Sequence, residues 1–156
     1  MSGGPPPFTD FLEGHRGMVY RFLLAAVGRQ DADDCFQETF LAALRAYPGL
    51  RNGEHLDRWI LRIASRKAID HHRSRRRSPV PMAQAVSADR PAPSDPLDEE
   101  LWSHVRSLPP RQRVAVAHRY VLDRTYAEIA EAMGGSEEGA RANVSQGMKR
   151  LREQMA

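Results

Sequence analysis

Between Leu108 and Met155 the chain is punctuated in a way that leaves little choice of fold. Leu108-Pro109-Pro110-Arg111-Gln112-Arg113 opens one helix, and Thr125-Tyr126-Ala127-Glu128-Ile129-Ala130 opens a second. Gly134-Gly135-Ser136 ends that helix and starts another, which closes on the basic run Lys149-Arg150-Leu151-Arg152. A Thr-x-x-Glu pair caps its own helix, because the hydroxyl and the carboxylate each accept from a backbone amide that has no partner within the helix. Paired glycines take the left-handed backbone of a tight turn without a β-carbon clash. Ser136 is a favoured N-cap for the basic helix. A short helix, a tight turn and a second helix with a polar outer face form a helix-turn-helix, whose second helix enters the DNA major groove.

Upstream, apolar residues recur at three- and four-residue steps. Phe8, Phe11, Leu12, His15, Val19, Phe22, Leu23 and Ala26 make one stripe over residues 8–27, the mark of an amphipathic helix. A second helix is expected from about Asp31 to Tyr47, burying Phe36, Phe40, Ala43, Leu44 and Tyr47, with Pro48-Gly49 as its stop. Asp31, Asp33 and Asp34 are expected in its first turn, where the helix dipole favours carboxylates. A third helix, from about Leu56 to Arg75, buries Leu56, Trp59, Ile60, Ile63 and Ile69. The period returns with Leu101, Val105 and Leu108, then Val114, Ala117 and Val121, then Ile129, Ala130 and Met133, and finally Ala140, Val144, Leu151 and Met155. No segment reads as a strand, so the expected fold is all-α.

From Ser78 to Pro96 the composition changes, with Pro79, Pro81, Pro91, Pro93 and Pro96 among small and polar residues. Such a stretch reads as a flexible Pro-rich linker. The 156 residues then divide into an N-terminal helical bundle (8–77), the linker (78–96) and a C-terminal helix-turn-helix domain (97–155). Each half is near the lower size limit for a self-sufficient core. The single cysteine, Cys35, excludes an intramolecular disulfide framework and fits a reducing compartment. It reads as a packed thiol rather than a redox sensor. No apolar run approaches the roughly 20 residues of a membrane span, and Met1–Pro7 lacks the charged start and apolar stretch of a signal peptide. A cytoplasmic protein without membrane insertion is expected.

Net charge is only +3, but the charges are segregated. Between Arg51 and Arg77 nine Arg or Lys residues stand against Glu54, Asp57 and Asp70, a local excess suited to tracking phosphates. On the last helix Arg141, Asn143, Ser145, Gln146, Lys149 and Arg150 lie off the apolar stripe. Asn, Gln and Arg read base edges, while Lys and Arg hold phosphates. Asp70-His71-His72 spells the triplet of a phosphoesterase family, but no further metal-ligating residues stand at suggestive spacing. His15, His55, His104 and His118 read as surface or helix-packing residues. No catalytic, metal or cofactor site is expected.

Taken in order, three blocks resemble the extracytoplasmic-function (ECF) group of bacterial sigma factors. They are Asp31-Ala32-Asp33-Asp34-Cys35-Phe36-Gln37-Glu38-Thr39-Phe40, Trp59-Ile60-Leu61-Arg62-Ile63-Ala64 with Ala68-Ile69-Asp70-His71, and the stretch from Leu108 to Ala130. The resemblance implies a factor that directs RNA polymerase core to promoters and leaves catalysis to the polymerase. It places docking on the β′ clamp coiled coil at Asp34, Gln37, Glu38 and Arg45, with the β flap as a second polymerase contact. It places minus-ten DNA at Leu50, Arg51, Asn52, Ile63 and Arg66, and phosphate contacts at Lys67, Arg73, Arg75, Arg76 and Arg77. A small pocket is expected around Leu50, Arg51, Asn52, Ile63 and Arg66, where an unstacked base would be held. Minus-thirty-five DNA falls to Arg141, Asn143, Ser145, Gln146, Lys149 and Arg150.

The sequence departs from the family's pattern in places. Leu50 stands where relatives often carry an aromatic, and Asn143, Gln146 and Met148 stand where they commonly carry Arg. Gly139 and Gly147 are each expected to weaken the last helix by up to about 1 kcal/mol. An anti-sigma partner is a further implication. The competing reading is a stand-alone helix-turn-helix regulator acting as a homodimer, with the N-terminal bundle used for dimerisation.

Overall fold

A computed structural model describes the backbone of residues 3–77 and 96–156 and the side chains of residues 3–71 and 99–156. Of the segment expected to be a linker, residues 78–95 lie outside the described residues, and Pro96 is already the first residue of a helix. The N-terminal unit holds α1 (Phe8–Val27), α2 (Arg29–Ala46), a 3-10 turn (Tyr47–Gly49) and α3 (Leu56–Arg77). The C-terminal unit holds α4 (Pro96–Arg106), α5 (Pro110–Tyr120), α6 (Tyr126–Met133) and α7 (Glu137–Met155). Among the described residues there is no strand, as the periodicity predicts.

Helix boundaries follow local chemistry. Gly28, at φ 89°, ends α1 and begins α2. Because α2 starts at Arg29, only Asp31 falls in its first turn; Asp33 and Asp34 lie beyond it, contrary to the expectation. Pro110 occupies the first turn of α5, where its missing N–H is harmless. At α6 both halves of the capping box are made: Thr125 Oγ1 accepts from the Glu128 amide at 3.1 Å, and Glu128 Oε1 accepts from the Thr125 amide at 2.9 Å. Thr125→Ala is expected to destabilise the chain by about 1 kcal/mol, lowering Tm by about 3 °C in a thermal melt followed by circular dichroism.

The N-terminal core is aromatic. Phe11 is packed by Phe8, Phe40, Tyr47 and Trp59, with ring centroids 5.3–6.2 Å apart. Val19, Phe22, Leu23, Ile60 and Ala64 complete it, all with no exposed surface. Leu44 does not join them, being 49% exposed. Counted at 3.6 residues per turn from Ala32, the centre of the buried face, Leu44 is rotated by about 120°. Met155 is likewise 52% exposed, at the last turn of α7, rather than part of the buried stripe.

The two units pack against each other. Val114 and Ala117 of α5 are buried in the same cluster as Phe22 and Ile60, and Trp102, Val121, Leu122 and Met133 pack against that cluster. Arg106 lies over Gly28, where a β-carbon would come within 2.9 Å of its Cδ. Ion pairs rim the seam, with Arg124 Nη1 2.8 Å from Asp57 Oδ2 and Arg58 Nη2 3.6 Å from Glu128 Oε2.

Candidate nucleic-acid interface

The C-terminal site is built by close packing beneath α7. Ser136 Oγ accepts from the Gly139 amide at 2.9 Å and starts the helix. Gly134, at φ 71°, makes the left-handed turn that lets α7 follow α6. Ala140, Val144, Gly147 and Leu151 are buried, which turns Arg141, Ser145, Gln146, Lys149 and Arg150 to the exposed side. Asn143 is half-buried and faces a small cleft with Arg111, Gly135 and Ser136. Two of the candidate readers already have partners. Arg141 lies 4.8 Å from the Tyr126 ring centroid and 3.3 Å from Glu137, and Gln146 accepts from Gln112 Nε2 at 3.3 Å. Arg119 lies 4.7 Å from the same tyrosine ring, so Tyr126 is stacked against two guanidiniums and fixes the base of the helix.

Gly147 is not the weak point that its helix propensity suggested. A β-carbon there would stand 2.8 Å from Val116 Cγ2 and 3.5 Å from Gln112 Cβ and Leu108 Cδ1. Only a glycine lets α7 approach α5 this closely.

The N-terminal candidates divide between a loop and a helix. In the loop before α3, Arg51 and Asn52 are exposed and Leu50 is half-buried against the aromatic core. Asn52 Oδ1 accepts from the Glu54 amide at 2.9 Å, and His55 sits at φ 56°. The chain's N-terminal arm braces this loop: Tyr47 Oη donates to the Pro6 carbonyl, and Gly53 lies against Gly4, Pro5 and Pro6. On α3, Arg66 is exposed, Lys67 is half-buried, and Ile63 packs against the core. The side chains of Arg73, Arg75, Arg76 and Arg77 lie outside the described residues, although their backbone continues α3.

Leu50 and Ile63 pack against the same core cluster. Arg66 lines a cleft of about 180 Å³ with Arg62, Ser65 and Asp70 of α3 and with Arg111 and Glu131 of the C-terminal unit. The cause is that α6 packs along α3, so the side of α3 that carries Arg62 and Arg66 opens onto the other unit.

On α2, Asp34, Gln37, Glu38 and Arg45 are all exposed. Relative to Ala32, positions 34, 37, 38, 41 and 45 fall within about 60° of the direction opposite the buried face. Leu41, 50% exposed, stands at the centre of that group, and Leu44 stands beside it. An apolar centre with a polar surround is the anatomy of a protein interface.

Two family descriptions match these same units in order, Sigma-70 region 2 over residues 11–78 and Sigma-70 region 4 over residues 98–151. SigF of Caulobacter vibrioides, described as an ECF RNA polymerase sigma factor, is 32% identical over 129 residues, covering 80% of this chain and 71% of SigF. The chain belongs to the ECF sigma factors. BldN of Streptomyces coelicolor, another ECF sigma factor, is 30% identical over 146 residues, and the match covers 87% of this chain but only 55% of BldN. The chain thus spans little more than half the length of that relative. The fold is that of a solved sigma factor, RpoE of Bartonella quintana in complex with the anti-sigma factor NepR, with TM-score 0.75 at 21% identity over 95% of this chain and 96% of that one.

In this sigma factor Leu41 is the residue that sequence reasoning passed over, and Leu44 the one it assigned to the buried face. The signal that could have found Leu41 is its place on the polar face, 180° from the buried stripe. Cys35 is fully buried beneath the same helix. Burial, with Glu38, Asp31 and Asp34 nearby, pushes its thiol up to about 12, so at neutral pH it is a protonated packing group and not a nucleophile. Among the described residues no cluster of three or more His, Cys, Asp or Glu could hold a metal, and no helix is long and apolar enough to cross a membrane.

Proposed function

We propose that this chain is a transcription initiation factor that brings RNA polymerase core to specific promoters and performs no bond chemistry itself. One observation carries the reading: an exposed apolar-centred face on α2 and an exposed basic face on α7 belong to a single chain whose two halves match sigma regions 2 and 4 in order.

Leu41 anchors the β′ clamp contact, with Asp34, Gln37, Glu38 and Arg45 around it, and the C-terminal unit meets the β flap. Arg51, Asn52, Arg66 and Lys67 meet the minus-ten strand, and the arginines at the end of α3 follow its phosphates. Arg141, Asn143, Ser145 and Gln146 read the minus-thirty-five element, while Lys149 and Arg150 hold its backbone. The protein acts in the cytoplasm, as two helical domains on a tether, and is restrained by an anti-sigma protein, the class of partner found with RpoE. The homodimeric regulator is not favoured, because the match to region 2 runs through the unit it would use for dimerisation.

Purified chain mixed with core polymerase is expected to give promoter-specific transcripts, which the homodimer reading forbids. Replacing Gln37 and Glu38 together with lysine is expected to weaken core capture at least about tenfold, about 1.4 kcal/mol, with no change in helicity. Capture that survives the double replacement unaltered would remove the α2 face from the proposal.

A further inference from the structure

Residues 50–55 join the 3-10 turn to α3 without forming a helix or strand. One end of this loop is tied by the Leu50 amide, which donates to the Tyr47 carbonyl at 3.0 Å, and the other by the Trp59 amide, which donates to the His55 carbonyl at 3.1 Å. Between them the N-terminal arm, residues 3–7, supplies the support. The Gly53 amide donates to the Gly3 carbonyl at 3.4 Å. A β-carbon on Gly53 would stand 3.3 Å from Pro5 Cα and 3.4 Å from the Gly4 carbonyl oxygen. Both are backbone atoms that cannot rotate aside, so the glycine is what lets arm and loop touch.

The arm is stiff and firmly rooted. Pro5, Pro6 and Pro7 fix three successive φ angles, and Pro7, at φ −54° and ψ 146°, is in the polyproline conformation. The Pro7 carbonyl accepts from the Asp10 and Phe11 amides at 3.0 and 3.1 Å, so the arm leaves directly from the first turn of α1. Tyr47 Oη, from the aromatic core, donates to the Pro6 carbonyl. Arg51 and Asn52 nonetheless stay exposed. The arm therefore holds the loop without covering the side chains that would meet DNA.

We propose that this arm is a specificity element for the minus-ten contact, holding Arg51 and Asn52 in the one arrangement in which a captured base is discriminated. The inference rests on the sigma-factor reading above. A loop ordered in advance loses less conformational entropy when it receives an unstacked base. It also discriminates better, because it does not rearrange to accommodate a wrong base. Pro5, Pro6, Tyr47 and Gly53 are thus positioning residues that act through the loop.

Two variants loosen the contact from opposite sides. Pro5→Gly with Pro6→Gly keeps the carbonyls and removes the stiffness, while Gly53→Val crowds the arm from the loop. Hydrogen exchange over residues 48–56 of the full chain, read by mass spectrometry beside circular dichroism, is expected to quicken at least about tenfold in both with helicity retained. Either variant decides alone if the other loses helix, and unchanged exchange overturns the proposal. Each chain with core polymerase then transcribes a template pool randomised at both promoter elements. The preference for the best minus-ten sequences over the pool median is expected to fall at least about threefold, with the minus-thirty-five preference kept. A merely structural role would lower both preferences together or only the total transcript. Either result, like an unaltered minus-ten preference, overturns the proposal. Faster exchange with no promoter-specific transcript from any chain, wild type included, would instead defeat the sigma-factor reading and leave the braced loop standing.

Discussion

Acidification from pH 7.5 to 4.5 is expected to part the two helical units while leaving each of them helical. Where they meet, His118 of α5 has no exposed surface, stacks on Phe22 of α1 and donates from Nε2 to Ser65 Oγ of α3 at 2.7 Å, while that hydroxyl donates to the Leu61 carbonyl at 2.7 Å. Burial, with Arg124 nearby, lowers the His118 pKa from 6.5 to about 3 in this closed form. Opening returns the ring to water and to its ordinary value. The closed form therefore binds fewer protons than the open one at every pH between the two values. Its stabilisation is whole above 6.5 and is lost as pH falls toward 3. Each unit below 6.5 favours opening by about 1.36 kcal/mol, so at pH 4.5 the bias is on the order of 3 kcal/mol.

The carboxylates on the rim act in a lower window. Desolvation raises Asp57, but the Arg124 hydrogen bond and charge outweigh it, and the carboxyl ends below its ordinary 3.8. Glu128 is held below its ordinary 4.5, first by the Thr125 amide and then by Arg124 and Arg58, against some desolvation. Both contributions persist above the ordinary values and fail only beneath them, so above pH 4.5 the imidazole governs. Scattering should show expansion of the wild type between pH 6.5 and 4.5. His118→Leu, which keeps the volume and leaves Ser65 bonded to Leu61, should stay compact across that range. Expansion of both chains at the same pH would remove His118 as the cause.

That histidine shows where sequence reading stops. Helix starts and ends were legible because their signals are local: Thr125 with Glu128, Ser136, Pro110 and the Gly134 turn each act within four residues of themselves. The apolar stripes were legible wherever the buried face is wide, as on α1. They misled at Leu44, where a leucine eight residues after Phe36 looks periodic but has rotated to the edge of the helix. A single sequence does not encode which surface one helical unit shows another, so His118 read as a singleton and Ser65 went unnoticed. The same blindness hid the cleft that Arg66 lines with Arg111 and Glu131, residues 45 and 65 positions away in the sequence. Residues opposite a clear stripe, such as Gln37 and Glu38, stand on an exposed face, a placement that needs only the helical period.

Gly147→Val is expected to destabilise the C-terminal unit by about 3 kcal/mol, although the change raises intrinsic helix propensity. At 2.8 Å from Val116 Cγ2 the first added carbon is already inside contact distance. Val116 offers no escape, since it is 2% exposed and its β-branched side chain is stiff about χ1. Leu108 and Gln112 close the remaining sides at 3.5 Å. The helix must then lift from α5, opening the space under Val144 and Leu151 and breaking the Gln112–Gln146 bond that aligns the reading face. Gly139 on the same helix is the control: its added carbon would meet only Ser136 Oγ at 3.1 Å, in an exposed first turn with room to adjust. Gly139→Ala should be neutral or stabilising by about 0.5 kcal/mol. Urea unfolding of the three chains separates the cases, and duplex binding to the upstream element should be lost in Gly147→Val alone. Equal midpoints for Gly147→Val and the wild type would mean that α7 does not pack on α5 through this glycine.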